Sequence, residues 1–194
     1  MKNIFAELRI ALLATLSLAV ILCGFYPFVV WALSQGFFPD KANGSLIKEK
    51  QMIRGSSLIA QGFSHPKYFH PRPSAAGQGY DGLSSGGSNL GPLSKKLTDT
   101  LKERLGQYRI ENKLSPDVLV PADAVTASAS GLDPHISLKN ALLQTPRVAA
   151  ARGVGDQTVL KQIEHNTEGR DLGIFGEPRV NVLMLNLALD RLTQ

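Results

Sequence analysis

The sequence predicts an α+β protein, with one N-terminal transmembrane helix followed by a single helix-rich mixed α/β domain. Three observations support this fold class. Residues 10–33 form an uncharged apolar run, apolar residues recur at helical spacing through the second half of the chain, and short apolar runs alternate with charge after the first segment. The chain has 194 residues. This length suits an anchor and one domain of roughly 150 residues.

The first element is predicted to cross a membrane. Residues 10–33 are 24 consecutive positions without a charge, and a helix of that length spans about 36 Å, against about 30 Å for a hydrocarbon core. Gly24 and Pro27 are candidates for a kink. A cleaved signal peptide is the alternative, favoured by Lys2 and Arg9 but opposed by the length of the run and the absence of a small-x-small cleavage triplet. We therefore predict a cytoplasmic tail at 1–9, a transmembrane helix at 10–33, a linker at 34–45 and a soluble extramembrane domain at 46–194.

Charge does not decide the orientation of this anchor. Lys2 and Arg9 precede it, and four basic residues follow it, at Lys41, Lys48, Lys50 and Arg54. Because long domains translocate largely regardless of charge, we expect the short N-terminus inside and the domain on the extracytoplasmic side.

After the linker, whose turn is predicted at Asn43-Gly44, residues 46–59 are predicted to form one or two strands. Residues 62–92 are rich in glycine, proline and serine. Tyr68, Phe69 and Tyr80 lie within this stretch and favour an ordered surface loop over low-complexity disorder, and long ordered loops are usually functional.

Helical patterns dominate the remainder. Ser94 is predicted to cap a helix over 95–108 that packs by Leu97, Leu101, Leu105 and Tyr108. A short strand is predicted at Val118 to Val120. Three further helices are predicted, over 137–152 with a break near Pro146, from an Asp156 cap to His165, and over 178–192 with Val182, Leu185, Leu189 and Leu192 buried.

The residues capable of chemistry do not form a familiar active site. The four histidines lack the helical spacing of a zinc hydrolase, and Ser128, Ser130, Asp133 and His135 lie too close in sequence for a typical triad. The single cysteine, Cys23, excludes a disulfide framework. The basic residues of the 95–108 helix alternate with acidic ones, which argues against nucleic acid.

Two segments rich in small residues keep two interpretations each. The glycine-rich run 85–91 suits either a tight turn or a nest of backbone N–H groups for an anion. Residues 121–135 either present a polar surface to a partner or pack their small side chains against a neighbouring backbone.

Several segments together resemble the C subunit of the Kdp-type potassium-transporting P-type ATPase. The resemblance covers nearly the whole chain, and the GLDPHIS and RVNVL sequences are its most specific parts. The segments are GSSLIAQGF at 55–63, YFHPRPSA at 68–75, SGGSNLGP at 85–92, VPADAVTASASGLDPHIS at 120–137, QTPRVAAARG at 144–153 and GEPRVNVLMLNLALD at 176–190.

The resemblance implies a single-pass subunit of the bacterial inner (plasma) membrane, in a complex with a potassium-selecting channel-like subunit, a P-type ATPase subunit and a small single-helix subunit. It implies a non-catalytic role, since the D-K-T-G phosphorylation sequence is absent. In this family the role assigned is a catalytic chaperone that raises the ATP affinity of the ATPase subunit; the alternative is an extracytoplasmic cap on the potassium-selecting subunit.

Site residues follow from the resemblance as expectations. Gln144 corresponds to a glutamine implicated in nucleotide contact, with Arg147 beside it, so ATP would be bound weakly and together with the ATPase subunit, and no cofactor would be tightly bound. The partner-contact candidates are Tyr68, Phe69, Arg72, Ser85, Asn89, Asp133 and His135.

Overall fold

The computed structural model describes residues 3–49 and 52–192. They form two compact units, residues 1–54 and 55–194. The observed fold is α+β, as predicted: one long apolar helix, followed by helices and small antiparallel sheets.

The first unit contains a continuous helix over Ile4–Phe37, long and apolar enough to cross a membrane and with no buried side chain in its apolar part. It comprises α1 (Ile4–Ala19), a π-helical turn (Val20–Phe25) and α2 (Tyr26–Phe37). The π turn contains Gly24 and precedes Pro27. Because proline has no N–H and its ring crowds the carbonyl four residues earlier, a wider turn accommodates it without ending the helix.

The helix extends beyond the predicted membrane-spanning segment, residues 10–33, on both sides. Helix α1 begins at Ile4, inside the predicted tail, and α2 continues to Phe37, inside the predicted linker. Phe38 leaves the helical conformation because a residue before proline disfavours it, and Pro39–Ala42 then form the short α3. Asn43 and Gly44 form the predicted turn.

Two strands occur in the 46–59 segment, within the prediction of one or two. Strand β1 (Leu46–Glu49) pairs with β2 (Met52–Ser56) in a two-stranded sheet.

The second unit has a three-stranded antiparallel sheet flanked by four helices. Strand β5 (Arg179–Asn181) lies between β3 (His135–Ser137) and β4 (Thr167–Glu168), with Ile136 opposite Val180. The helices are α4 (Lys95–Glu111), α5 (Leu138–Arg152), α6 (Asp156–His165) and α7 (Val182–Leu192). The core residues are Phe69, Ile136, Ala141, Val148, Ala149, Val159, Ile163, Val180, Val182, Leu185 and Leu189.

The terminal helix begins later than predicted. Arg179–Asn181 hydrogen-bond to β3 as strand β5, so α7 starts at Val182 and Pro178 precedes both elements. A three-residue strand is too short to show periodicity, which is why the helical pattern extended over it. Of the four predicted buried positions, Leu192 is half exposed.

Three other local predictions were wrong. Helix α5 passes through Pro146 without a break, since buried residues on both sides hold it in the core. Asp156 is the first residue of α6, after a Gly155 cap, where its charge still favours the helix N-terminus. Residues 118–120 form no strand. Leu119 is largely exposed, and the Val118 carbonyl accepts a hydrogen bond from Arg109.

Helix α4 begins as predicted, with the Ser94 hydroxyl accepting a bond from the Leu97 N–H, and it continues to Glu111. Of its predicted buried stripe only Tyr108 is buried; the leucines are half-buried.

Candidate functional site

The 62–92 loop contains no strand. Part of its backbone is hydrogen-bonded by side chains instead of by a neighbouring strand. The carbonyls of five consecutive residues, 66–70, each accept a hydrogen bond from a side chain of α5 or α7. The donors are Gln144, Arg147, Arg152 and Asn186, which we call the clamp. It meets the requirement that buried backbone polar groups find partners.

Gln144 bonds both backbone polar groups of one loop residue, His70. Its Oε1 accepts from the His70 N–H at 2.8 Å, and its Nε2 donates to the His70 carbonyl at 3.1 Å. The same Nε2 donates to Asn140 Oδ1 at 2.9 Å, and Oε1 also accepts from Arg147 at 2.6 Å. The side chain is 1% exposed. Both amide donors and both acceptor directions of Gln144 are therefore used within the chain.

Arg147, one turn further along α5, joins the loop to the end of α4. Its Nη1 donates to the carbonyls of Pro66 and Tyr68, and its Nε donates to Asn112 Oδ1 at 3.0 Å. Burial lowers the pKa of Arg147, opposed by the charge of Glu111. A guanidinium remains charged across the physiological range, and its fixed fork of donors suits this bridging role.

Arg152 and Asn186 complete the clamp. Arg152 donates to the Lys67 carbonyl at 2.7 Å and to Asp190 at 2.9 Å, and its side chain is 2% exposed. Asn186 accepts from the Phe69 N–H at 2.8 Å and donates to the Phe69 carbonyl at 3.0 Å. Asn186 and Gln144 thus bond the N–H and the carbonyl of two adjacent residues, Phe69 and His70, as a neighbouring strand would.

Two of the partner-contact candidates, Tyr68 and Phe69, lie in the segment that the clamp holds. Phe69 is fully buried in the core, so its side chain meets no partner in this conformation, and that candidate is corrected to a core residue. Tyr68 stays half-buried, with its hydroxyl bonded to Asp190 and its ring beneath the guanidinium of Arg152. The aromatic residues that indicated an ordered loop are those that hold it in place.

The two small-residue segments lie against each other. Gly86 N–H and the Ser85 hydroxyl both bond to the Ser130 carbonyl, and a side chain at Gly87 would meet the Ala129 carbonyl. In the 121–135 stretch, the alternative of packing against a neighbouring backbone therefore applies to residues 129–131. Because the Gly86 N–H is already bonded, the 85–91 run does not present a complete nest. Asn89 is exposed with φ +51°.

Arg72, Asp133 and His135 belong to one ion cluster. Arg72 Nη1 lies 2.9 Å from Asp133 Oδ2, and His135 lies between Asp133 (Nδ1 to Oδ1, 3.6 Å) and Glu168 (Nε2 to Oε2, 3.3 Å). Glu168 in turn accepts from Arg179 at 2.9 Å. The 3.3 Å approach is not aligned as a hydrogen bond. The cluster ties the 62–92 loop to β3, β4 and β5.

The pKa values in this cluster move apart. Burial would raise the pKa of Asp133, but hydrogen bonds from His135 and Arg72 outweigh it and lower that pKa to about 2. The close approach of its ring to the Asp133 carboxylate, opposed by burial and supported by Glu168, raises the pKa of His135. Asp133 therefore contributes stability above its unfolded pKa, lost as the pH falls towards 2. His135 contributes stability below about pH 6.5, lost as the pH rises through its raised pKa.

We expect His135→Gln to destabilise the protein more at pH 5.5 than at pH 8.5, by up to about 1 kcal/mol for a pair this exposed. Thermal unfolding followed by circular dichroism at both pH values measures the difference. His165→Gln, at the exposed end of α6, is the matched control. An equal loss for His135→Gln at the two pH values would contradict the linkage.

A cavity of about 290 Å³ lies beside Gln144. Its lining combines aromatic rings with polar and charged groups, namely Phe63, His70, Pro71, Pro73, Tyr80, Arg104, Gln107, Tyr108, Glu111, Ala124, Asn140 and Gln144. Burial and the charge of Arg147 lower the pKa of His70, which favours its neutral form.

Of the four clamp residues, the sequence indicated a role for Gln144 and Arg147 and none for Arg152 or Asn186. The sequence likewise indicated no role for Asn140, whose Oδ1 accepts from Gln144. A signal for Asn186 exists: it follows Leu185 within the buried stripe of α7, and a polar residue there must find a hydrogen-bond partner.

The long apolar helix and the α+β domain define a single-pass membrane-anchored protein. The sequence matches the family profile described as KdpC, K+-transporting ATPase, c chain, over residues 8–191, and the chain belongs to this family. It is 55% identical over 167 residues to the potassium-transporting ATPase KdpC subunit of Mycobacterium tuberculosis, covering 86% of this chain and 88% of the relative. The equivalent subunit of Nitratidesulfovibrio vulgaris is 52% identical over 187 residues, covering 95% and 93%, and that of Myxococcus xanthus is 53% identical over 183 residues, covering 92% and 85%.

Proposed function

We propose that this subunit of the potassium-transporting ATPase is non-catalytic, and that its domain lies on the extracytoplasmic side and caps the potassium-selecting subunit, aiding assembly of the complex. One observation supports the cap role over the nucleotide role. The residues expected to contact nucleotide, Gln144 and Arg147, are committed to holding the 62–92 loop in place.

A clamped loop suits a docking role because its order is established before it meets a partner. Ordering a flexible loop on binding costs free energy that a pre-formed loop has already lost. The exposed parts of this loop, including Ser85 and Asn89, are then presented by a rigid base. The other proposed partners are the P-type ATPase subunit and the small single-helix subunit.

The second candidate is the catalytic chaperone that raises the ATP affinity of the ATPase subunit. The cavity beside Gln144 favours it, since Tyr80 and Tyr108 offer aromatic surface and Arg104 offers a cation for phosphate. Weak ATP binding there would require Gln144 to exchange one of its internal hydrogen bonds. It would also require the domain to face the cytoplasm, because ATP is scarce outside.

Sidedness separates the two roles. In a Cys23→Ser background, we expect cysteines introduced at the exposed Ser84 and Lys102 to react with an impermeant maleimide in intact spheroplasts. A cysteine at Asn3, on the other side of the anchor, is the matched control and should react only after lysis. The reverse pattern, with Ser84→Cys and Lys102→Cys protected until lysis, would refute the cap and support the nucleotide role.

A further inference from the structure

A hairpin between β4 and β5 carries three exposed apolar side chains. Asp171 and Phe175 exchange backbone hydrogen bonds at 2.8 and 2.9 Å, and the turn between them uses left-handed conformations at Leu172 (φ +53°) and Gly173 (φ +75°). Leu172 is 88% exposed, Ile174 73% and Phe175 63%. We call these three side chains the hairpin tip.

The charges around the hairpin tip are paired within the hairpin. Arg170 bonds both carboxylate oxygens of Glu177 at 3.0 Å, and Arg179 bonds Glu168 at 2.9 Å and Asp171 at 3.4 Å. Burying an unpaired charge is costly, whereas a paired one loses less on leaving water. The hairpin can therefore be covered by another surface without isolating one of these charges.

An apolar groove adjoins the hairpin. It has a volume of about 410 Å³ and is lined by Leu138 and Leu142 of α5 and Leu160 of α6, together with Gly169 and Pro178 at the two ends of the hairpin. Gly169 and Pro178 line the groove and also flank the hairpin that carries the tip, so the groove and the tip belong to one exposed apolar region of the kind typical of interaction sites.

Charge distinguishes a protein occupant from a lipid surface. Residues 164–179 carry four carboxylates and two arginines, a net charge of −2 against +5 for the whole chain. Anionic lipid headgroups repel such a surface and attract basic ones. Glu164, on the groove, makes no ion pair with any of the residues in 3–49 and 52–192. A basic group of a partner would complement it.

We propose that the hairpin tip and the adjoining groove dock onto another protein subunit of the transporter, through a mostly apolar surface of that subunit with a basic group at its rim. This deepens the proposed function and rests on it, because it assigns the surface by which the chain takes part in assembly.

The test uses the affinity-tagged full chain, expressed with the other subunits. We expect the double variant Leu172→Ser, Phe175→Ser to recover at least tenfold less of the other subunits, and Glu164→Lys several-fold less. Ile110→Ser and Leu119→Ser are matched controls, since these side chains are 80% and 77% exposed and lie outside both this surface and the 62–92 loop. All variants should keep the unfolding midpoint of the parent chain, because the replaced side chains are exposed.

The outcomes are distinguishable. Full recovery of the subunits by the hairpin variant would overturn the inference and leave the proposed function standing, whereas failure of the unaltered chain to recover any subunit would overturn both. Self-association of the purified chain in detergent that the hairpin variant abolishes would identify a second copy as the occupant and also overturn the inference. If the Glu164→Lys variant recovers the other subunits as well as the parent chain does, the proposed basic group at the rim of the partner surface would be overturned.

Discussion

Replacing Gln144 with leucine is expected to lower the free energy of unfolding by about 3 kcal/mol, from the cost of leaving buried polar groups unpaired. Leucine has a similar volume but supplies no donor or acceptor. The N–H and carbonyl of His70 would lose their partners, and Asn140 and Arg147 would each lose one bond. Chemical denaturation of the full chain in detergent, followed by circular dichroism, measures the change.

Gln107→Leu is the matched control for this substitution. Gln107 also borders the cavity, but it is an exposed residue of α4 whose amide donates to Glu111 at 3.1 Å, so its replacement should cost less than about 0.5 kcal/mol. Equal stability of the Gln144 and Gln107 variants would show that the amide clamp is not needed. If Gln144→Leu destabilises the chain as expected, a loss of transport activity in a Gln144 variant is explained by a disordered loop and is no evidence for a lost nucleotide contact.

Gly131→Val is expected to destabilise the domain by at least about 3 kcal/mol, since two independent penalties add. The residue has φ +69°, a conformation that a β-branched residue rarely adopts. A Cβ there would lie 2.6 Å from both the Ala76 nitrogen and the Gly86 oxygen, which are backbone atoms with little freedom to move. Thermal unfolding of the full chain in detergent measures the loss.

Gly106→Ala provides the opposite control. Gly106 lies on the exposed face of α4, and an added Cβ would meet no atom within 4 Å, so alanine should stabilise the helix by about 0.5–1 kcal/mol. Tolerance of Gly131→Val, with a midpoint near that of the parent, would mean that the 76, 86 and 131 segments separate easily.

The elements that the sequence predicts well are those whose signal is local. The anchor follows from a long uncharged run, and the start of α4 follows from Ser94 ahead of a leucine stripe. Strands β3, β4 and β5 have two or three residues each, and such short segments show no periodicity. Their existence depends on pairing between residues distant in the chain, such as Ile136 with Val180.

The candidate site shows the same division. The order of the 62–92 loop was predictable because aromatic residues in a glycine-rich segment need a core to pack into. The partners of that loop were not, since the Gln144 bond to His70 joins positions 74 residues apart and the Asn186 bond to Phe69 joins positions 117 apart. A glutamine two residues before a proline in a helix gives no sign of the backbone that it will bond.

The long separations within the clamp also set an order of events during synthesis. The 62–92 loop leaves the ribosome early, but Asn186 and Asp190 belong to α7, the last helix described, so the loop lacks two of its anchoring side chains until α7 has emerged. Loop closure over such distances is slow relative to helix formation. The loop thus reaches its final shape late, and in the proposed assembly partners would meet that shape only on chains in which α7 has already been made.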